Sequence, residues 1–194
     1  MTIYGSTLDT PLGPFSVIVD DDVLVAAGFA ADPEEMHGRL DAARRSQPLK
    51  ITSDLGPVTA AVRDYFAGDV TAIDALPVEQ PGGAFRTAAW KAMRAVPAGE
   101  TITYGELAAQ AGSPGAGQAA GSACSQNRIA LIVPCHRIIQ TGGGPGGYYY
   151  GLDVKAWLLA HERGSRSSAN WLSTRSALAG YGSSTTWSAA SSAE

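Results

Sequence analysis

Apolar and polar positions alternate through the first thirty residues with the period of two that marks a strand. The runs Ile3 to Leu8, Pro14 to Val19 and Val23 to Phe29 are separated by the turn-forming segments Thr10-Pro11-Leu12-Gly13 and Asp20-Asp21-Asp22. They predict a small antiparallel sheet. The pattern then changes to a helical one. Residues 33–45 predict a helix, with Pro33 in the first turn, Glu34 and Glu35 behind it, and Arg44 and Arg45 at the end favoured by the helix dipole. Residues 56–67 predict a second, with Val58, Val62, Tyr65 and Phe66 as its apolar stripe and Gly68 as its stop. The stretch from Ala75 to Gly83, with two prolines and a Gly-Gly pair, predicts a linker.

Beyond it the helical period dominates. Thr87 to Val96 predicts an amphipathic helix with Trp90 and Met93 inward. Thr103 to Gln110 predicts another that opens on a capping box, Thr103 with Glu106. Gly112-Ser113-Pro114 is a turn, and the Ala/Gly/Ser-rich run Gly115 to Gln126 predicts the second member of a helix-turn-helix. Many such pairs only pack, but the small side chains of this one would let its backbone approach a nucleic-acid groove. Ile129 to Val133 reads as a buried apolar segment, Thr141 to Gly151 as a Gly/Tyr loop, and Leu152 to Arg163 as a last helix. The expected organisation is an α/β N-terminal domain over residues 1–80 and a mostly α C-terminal domain with the helix-turn-helix over 81–164. Residues 165–194, Ser/Ala/Thr/Gly-rich with Trp171 and Trp187, read as a disordered tail.

Composition narrows the function classes. The chain has 194 residues and is 45% hydrophobic, enough for a core. No apolar run approaches the roughly 20 residues of a membrane span, and Met1 to Ser6 lacks the pattern of a signal peptide. Only Cys124 and Cys135 are available for a disulfide, which points to a reduced, cytoplasmic setting. The three histidines are scattered and no zinc-ligand spacing occurs, so neither metal nor cofactor is expected. The net charge is −4, unevenly placed: residues 1–80 carry 13 acidic and five basic side chains, residues 81–137 two acidic and five basic. Only one face could therefore approach phosphates, with modest, salt-sensitive affinity.

The candidate chemistry centres on Pro134-Cys135-His136-Arg137. A thiol attacks only as thiolate, so it needs a base and a group to orient that base. His136 is adjacent, and Glu162 lies on the last helix. Pro134 restricts the turn and would aim the sulfur. A free cysteine more often merely packs, and a Cys-His pair alone does not overturn that.

The wider pattern does. Asn127, Pro134-Cys135-His136-Arg137, Gly146-Gly147-Tyr148 and Lys155-Ala156-Trp157-Leu158-Leu159-Ala160-His161-Glu162 resemble the O6-alkylguanine-DNA alkyltransferases, as does Ile102 to Ala108. The first half is similar only loosely, through Ser6 to Pro14 and Tyr65 to Gly68, which implies a ribonuclease-H-like N-terminal domain. The resemblance implies DNA repair by one irreversible transfer of an alkyl group from O6 of guanine, or O4 of thymine, to Cys135. The substrate would be double-stranded DNA entered from the minor groove, with the base flipped out and the protein acting as a monomer. His136, through a water, would take the thiol proton, Glu162 would orient His136, Asn127 would brace the turn, and Tyr104 would protonate the leaving base. Tyr148 would belong to the loop over the pocket, with Val133 and Pro134 lining it, and Arg137 would form a salt bridge holding the domains together.

Two features depart from the family. Gln118 stands where an arginine usually enters the base stack, next to Ala119, which implies weaker binding or slower flipping unless the groove helix suffices. Tyr148-Tyr149-Tyr150 carries two extra rings that would narrow the pocket lip, point to solvent or stack on the flipped base. Cys124 is expected to pack. The rival readings are a lesion sensor that binds without reacting, a helix-turn-helix regulator and a Cys-His hydrolase.

Overall fold

The computed structural model describes residues 2–164; the expectation of a disordered tail, with Trp171 and Trp187, falls outside them. Three strands form where alternation predicts them: β1 (Ile3–Thr10), β2 (Gly13–Asp20) and β3 (Val23–Gly28). β1 and β2 are antiparallel neighbours, with Gly13 at φ +101 closing their hairpin, and β3 pairs antiparallel with β2. The sheet is nevertheless mixed, not antiparallel. A short β4 (Leu49–Ile51) lies parallel to β1, giving the order β3-β2-β1-β4. Three residues are too few to show a period, so only pairing reveals this edge strand.

The single helix expected over residues 33–45 is two, α1 (Pro33–His37) and α2 (Ala42–Arg45). Asp32 and Asp41 each accept a backbone N–H of the helix that follows, so a second start signal interrupts the first helix after Gly38. α3 (Pro57–Ala67) ends at Gly68, whose φ of +118 is a left-handed stop.

The stretch read as a linker is fastened. Leu24 N–H donates to Pro77 O at 2.9 Å, Glu79 N–H donates to Leu24 O at 3.0 Å, and Leu76 is buried. The C-terminal domain then comprises α4 (Ala84–Ala95), the two-residue β5 (Ile102–Thr103), α5 (Tyr104–Gln110), α6 (Gly117–Ser125), β6 (Ile138–Ile139) parallel to β5, and α7 (Leu152–Glu162). α4 starts three residues before its predicted start, and the capping box of α5 forms as predicted. One apolar core runs through both domains, joining Phe15, Leu24, Val62 and Tyr65 to Met93, Leu107, Ile129 and Leu158; a smaller cluster lies under α1. The two domains also share backbone pairing: Ala27 N–H donates to Arg128 O at 3.0 Å and Ala130 N–H to Ala27 O at 2.8 Å. That pairing fixes the segment leading to Cys135 against β3. No helix of the described residues is long and apolar enough to cross a membrane.

Candidate active site

The turn that presents Cys135 is built by its own backbone. Pro134, at φ −84 and ψ 68, is the centre of a three-residue turn in which Cys135 N–H donates to Val133 O at 2.9 Å. The proline ring favours that φ. Leu131, fully buried, is held at φ +74, a conformation costing a β-carbon-bearing residue on the order of 1–3 kcal/mol. Asn127 fixes the turn from the side. Its Nδ2 donates to Val133 O at 2.7 Å and reaches Cys135 Sγ at 3.5 Å, while its Oδ1 accepts from Ile129 N–H at 3.1 Å. Gln80, missed in the sequence because its stretch reads as a linker, donates to Asn127 Oδ1 at 3.1 Å and accepts from Arg128 N–H at 3.0 Å.

Behind the cysteine lies a fully buried acid-base cluster. His136 Nε2 is 2.7 Å from Glu162 Oε1. Arg137 donates through Nε to Oε2 and through Nη2 to Oε1 of the same carboxylate, each at 2.9 Å. Tyr65 Oη donates to Oε1 at 2.9 Å, and Gly99 N–H to Oε2 at 3.1 Å. Burial alone would raise the Glu162 carboxyl, but the hydrogen bonds from His136 and Arg137 and the Arg137 charge outweigh it and hold it below the usual carboxylate range. Desolvation pushes His136 below the ordinary histidine value, leaving it neutral near pH 7. With Nε2–H given to Glu162, its Nδ1 carries the lone pair, and that atom is buried without a partner. The expected role of Arg137 as an inter-domain bridge is corrected: its ion pair and its bond from Nη1 to Val96 O lie inside the C-terminal domain, and it is Tyr65 on α3 that ties the N-terminal domain to this carboxylate. Nothing in the period of α3 separates Tyr65 from a residue that only packs.

Cys135 opens onto a cavity of about 180 Å³ lined by Tyr104, Gly121, Cys124, Gly147, Tyr148 and Tyr149, among others. Burial pushes its thiol up, opposed by the Asn127 hydrogen bond and the positive charge of Lys155. Lys155 is 1% exposed, and burial pushes its ammonium down to about 8. Its Nζ donates to Ile138 O at 2.5 Å and to Pro145 O, so it ties the loop over the cavity to the floor beneath it. Its spacing of seven from Glu162, which puts both on one helix face, was the available signal. Tyr104 is likewise raised by burial and so keeps its proton. Gly146, at φ +69, lies against Tyr104: a β-carbon there would sit 2.7 Å from the hydroxyl.

Several expected site residues lie elsewhere. Val133 and Pro134 are buried and shape the turn but do not line the cavity. Of the tyrosine run, Tyr148 lines it and Tyr149, 68% exposed, stands at its lip. Tyr150 turns away and packs edge-on against Phe29 of the N-terminal domain. Cys124 packs against the core as expected, and also lines the cavity with Cys135, its thiol pushed well up by burial. Gln118 and Ala119 lie in the first turn of α6, with Gln118 exposed to solvent and Ala119 half-buried. Among the described residues no three His, Cys, Asp or Glu side chains converge as metal ligands.

Comparison with known proteins places this arrangement. Residues 84–164 match the family described as 6-O-methylguanine DNA methyltransferase, DNA binding domain, and residues 3–80 its ribonuclease-like domain. A methylated-DNA--protein-cysteine methyltransferase of Shigella flexneri is 40% identical over 165 residues, covering 84% of this chain and 96% of that protein. One of Mycobacterium tuberculosis is 36% identical over 174 residues, 87% of this chain and 96% of its own. The crystal structure of M. tuberculosis OGT in complex with DNA superposes with a TM-score of 0.71 at 30% identity, covering 87% of this chain and 98% of that one.

Proposed function

The chain belongs to the 6-O-methylguanine DNA methyltransferase family, and on that premise we propose how its residues carry out the repair. It is a methylated-DNA--protein-cysteine methyltransferase, repairing DNA by direct transfer of an alkyl group to the protein. The acceptor in this reading is Cys135 Sγ. His136 takes the thiol proton at Nδ1 through a water. The sulfur attacks the alkyl carbon, the S–C bond forms as the C–O6 bond breaks, and the electron pair leaves on guanine, which is protonated from Tyr104. Glu162 holds the histidine tautomer, and the thioether left behind makes each molecule single-use. O6-alkylguanine in duplex DNA is the substrate, with O4-alkylthymine as a further one.

The buried His136–Glu162 pair directly behind a cysteine held by Asn127 is the observation that carries this reading. A base inside a duplex must be extruded to reach that sulfur, at a cost of about a few kcal/mol. α6, with Gly117, Ala119 and Gly121 as small side chains, suits close approach to a minor groove. The protein acts as a monomer in the cytoplasm, consistent with its two free cysteines. Intact mass after incubation with a duplex containing O6-methylguanine tests the assignment: one methyl is gained, and none in Cys135→Ser. Tight binding with no mass gain would instead make the protein a lesion sensor.

A further inference from the structure

A second, larger cleft of about 340 Å³ adjoins the Cys135 cavity and shares Ser125 and Tyr149 with it. Three arginines line it: Arg39 beyond α1, Arg86 on α4, and Arg128 next to Asn127. No carboxylate lines it, and among the described residues none of the three forms an ion pair. Their hydrogen-bond partners are neutral. Arg86 donates to the Gln126 side-chain carbonyl, and Arg39 donates to the Tyr149 hydroxyl with its guanidinium 4.5 Å from the centre of that ring. Arg128 Nη1 is buried with no partner.

Two arginines outside the cleft are compensated by carboxylates. Arg44 is met by Asp20, Asp41 and Glu79, and Arg137 by Glu162. In a chain with a net charge of −4, three like charges around one cleft and an orphaned guanidinium nitrogen amount to an unfilled demand for an anion. A guanidinium fork matches two phosphate oxygens.

We propose that this cleft binds a phosphodiester of the DNA strand whose base enters the Cys135 cavity, a contact made from outside the helix-turn-helix. The proposal rests on the repair reading above. It would let Arg86 and Arg128 hold the backbone while the base lies past Ser125 and Tyr149. A phosphate contact fixes position without reading sequence.

Duplex binding across a salt series tests it. Removing one phosphate-binding charge lowers the slope of log affinity against log salt by about 0.9. Arg128→Gln and Arg86→Gln are each expected to lower it by about one such step. Arg128→Lys is expected to keep the slope, and so is Arg45→Gln, a charge change outside the cleft. Methyl uptake by Cys135 from free O6-methylguanine base stays unchanged in all four. Unchanged slopes in both Gln variants, an equal drop in Arg45→Gln, or reduced uptake from the free base would overturn the proposal. Failure of the wild type to take up methyl from DNA would instead remove the repair reading, whatever the slopes.

Discussion

Glu162 Oε1 lies 2.7 Å from His136 Nε2, with both side chains withdrawn from water, and the same carboxylate takes Arg137 as well. Removing the negative charge leaves Arg137 buried and uncompensated. Glu162→Gln is therefore expected to cost about 3–5 kcal/mol, read from urea unfolding near pH 7. Because the folded carboxyl is depressed, its contribution is fully present above the ordinary carboxylate range and is lost as pH falls through and below it. The variant's stability should accordingly fall less steeply than the wild type's between about pH 5 and 3. Parallel acid limbs for the two proteins would contradict the ion pair.

The Cys135 thiol is raised by burial, so its thiolate is scarcer at neutral pH than that of a free cysteine. Iodoacetamide labelling of Cys135, followed by peptide mass in a Cys124→Ala background, should climb through about pH 9 without a plateau. Lys155→Met removes the positive charge that Lys155 carries below about pH 8, and should move that part of the profile further up. A downward move would exclude Lys155 as a thiolate-stabilising group.

The tyrosine run has two separable roles. Tyr149 stands at the cavity lip, whereas Tyr150 is anchored on Phe29. Tyr149→Ala should raise the rate with O6-benzylguanine relative to O6-methylguanine by about tenfold, within the roughly 1–3 kcal/mol typical of a pocket-shape change. Tyr150→Ala should leave that ratio alone, and single-turnover kinetics on both bases would show a reversed order if the assignment were wrong.

Tyr150 also sets what Gly28 tolerates. A β-carbon on Gly28 would sit 1.9 Å from the Tyr150 hydroxyl, so the ring has to move. Gly28→Ala should cost about 1–3 kcal/mol as overpacking and release the loop 141–151. Thermal unfolding and limited proteolysis of that loop measure both effects. A loop cut no faster than in the wild type would show that Tyr150 does not anchor it.

Gln118 lies on the first turn of α6, exposed to solvent. Gln118→Arg should speed methyl uptake from duplex DNA by roughly tenfold, equivalent to about 1.4 kcal/mol, and leave uptake from the free base unchanged. Equal duplex rates would show that the groove helix suffices without an inserted cation.

Much of this was legible in the chain. Alternation located β1 to β3 because each strand sends successive side chains to opposite faces, and the Thr103–Glu106 box located the start of α5 because capping is a local interaction. Cys135, His136 and Asn127 were legible too, being close neighbours in the chain. β4 was not, since so short a strand carries no period, and the break between α1 and α2, although Gly38 and Asp41 mark a stop and a start, lay inside a run of otherwise helix-forming residues.

By itself, the sequence determined the local quantities: the strands and caps, the proline-fixed turn, and the identity of the groups that could react. Tertiary structure alone decided that Tyr65 and Gly99 join Glu162, that Gln80 holds Asn127, that Lys155 lends its charge to the thiol, and that Val133, Pro134 and Tyr150 lie outside the cavity. The reason is physical. Local hydrogen bonds and side-chain periodicity act over a few residues, whereas burial, charge pairing and cavity shape depend on groups as far apart as Tyr65 and Glu162, 97 residues along the chain. Their partners exist only once the two domains share one core.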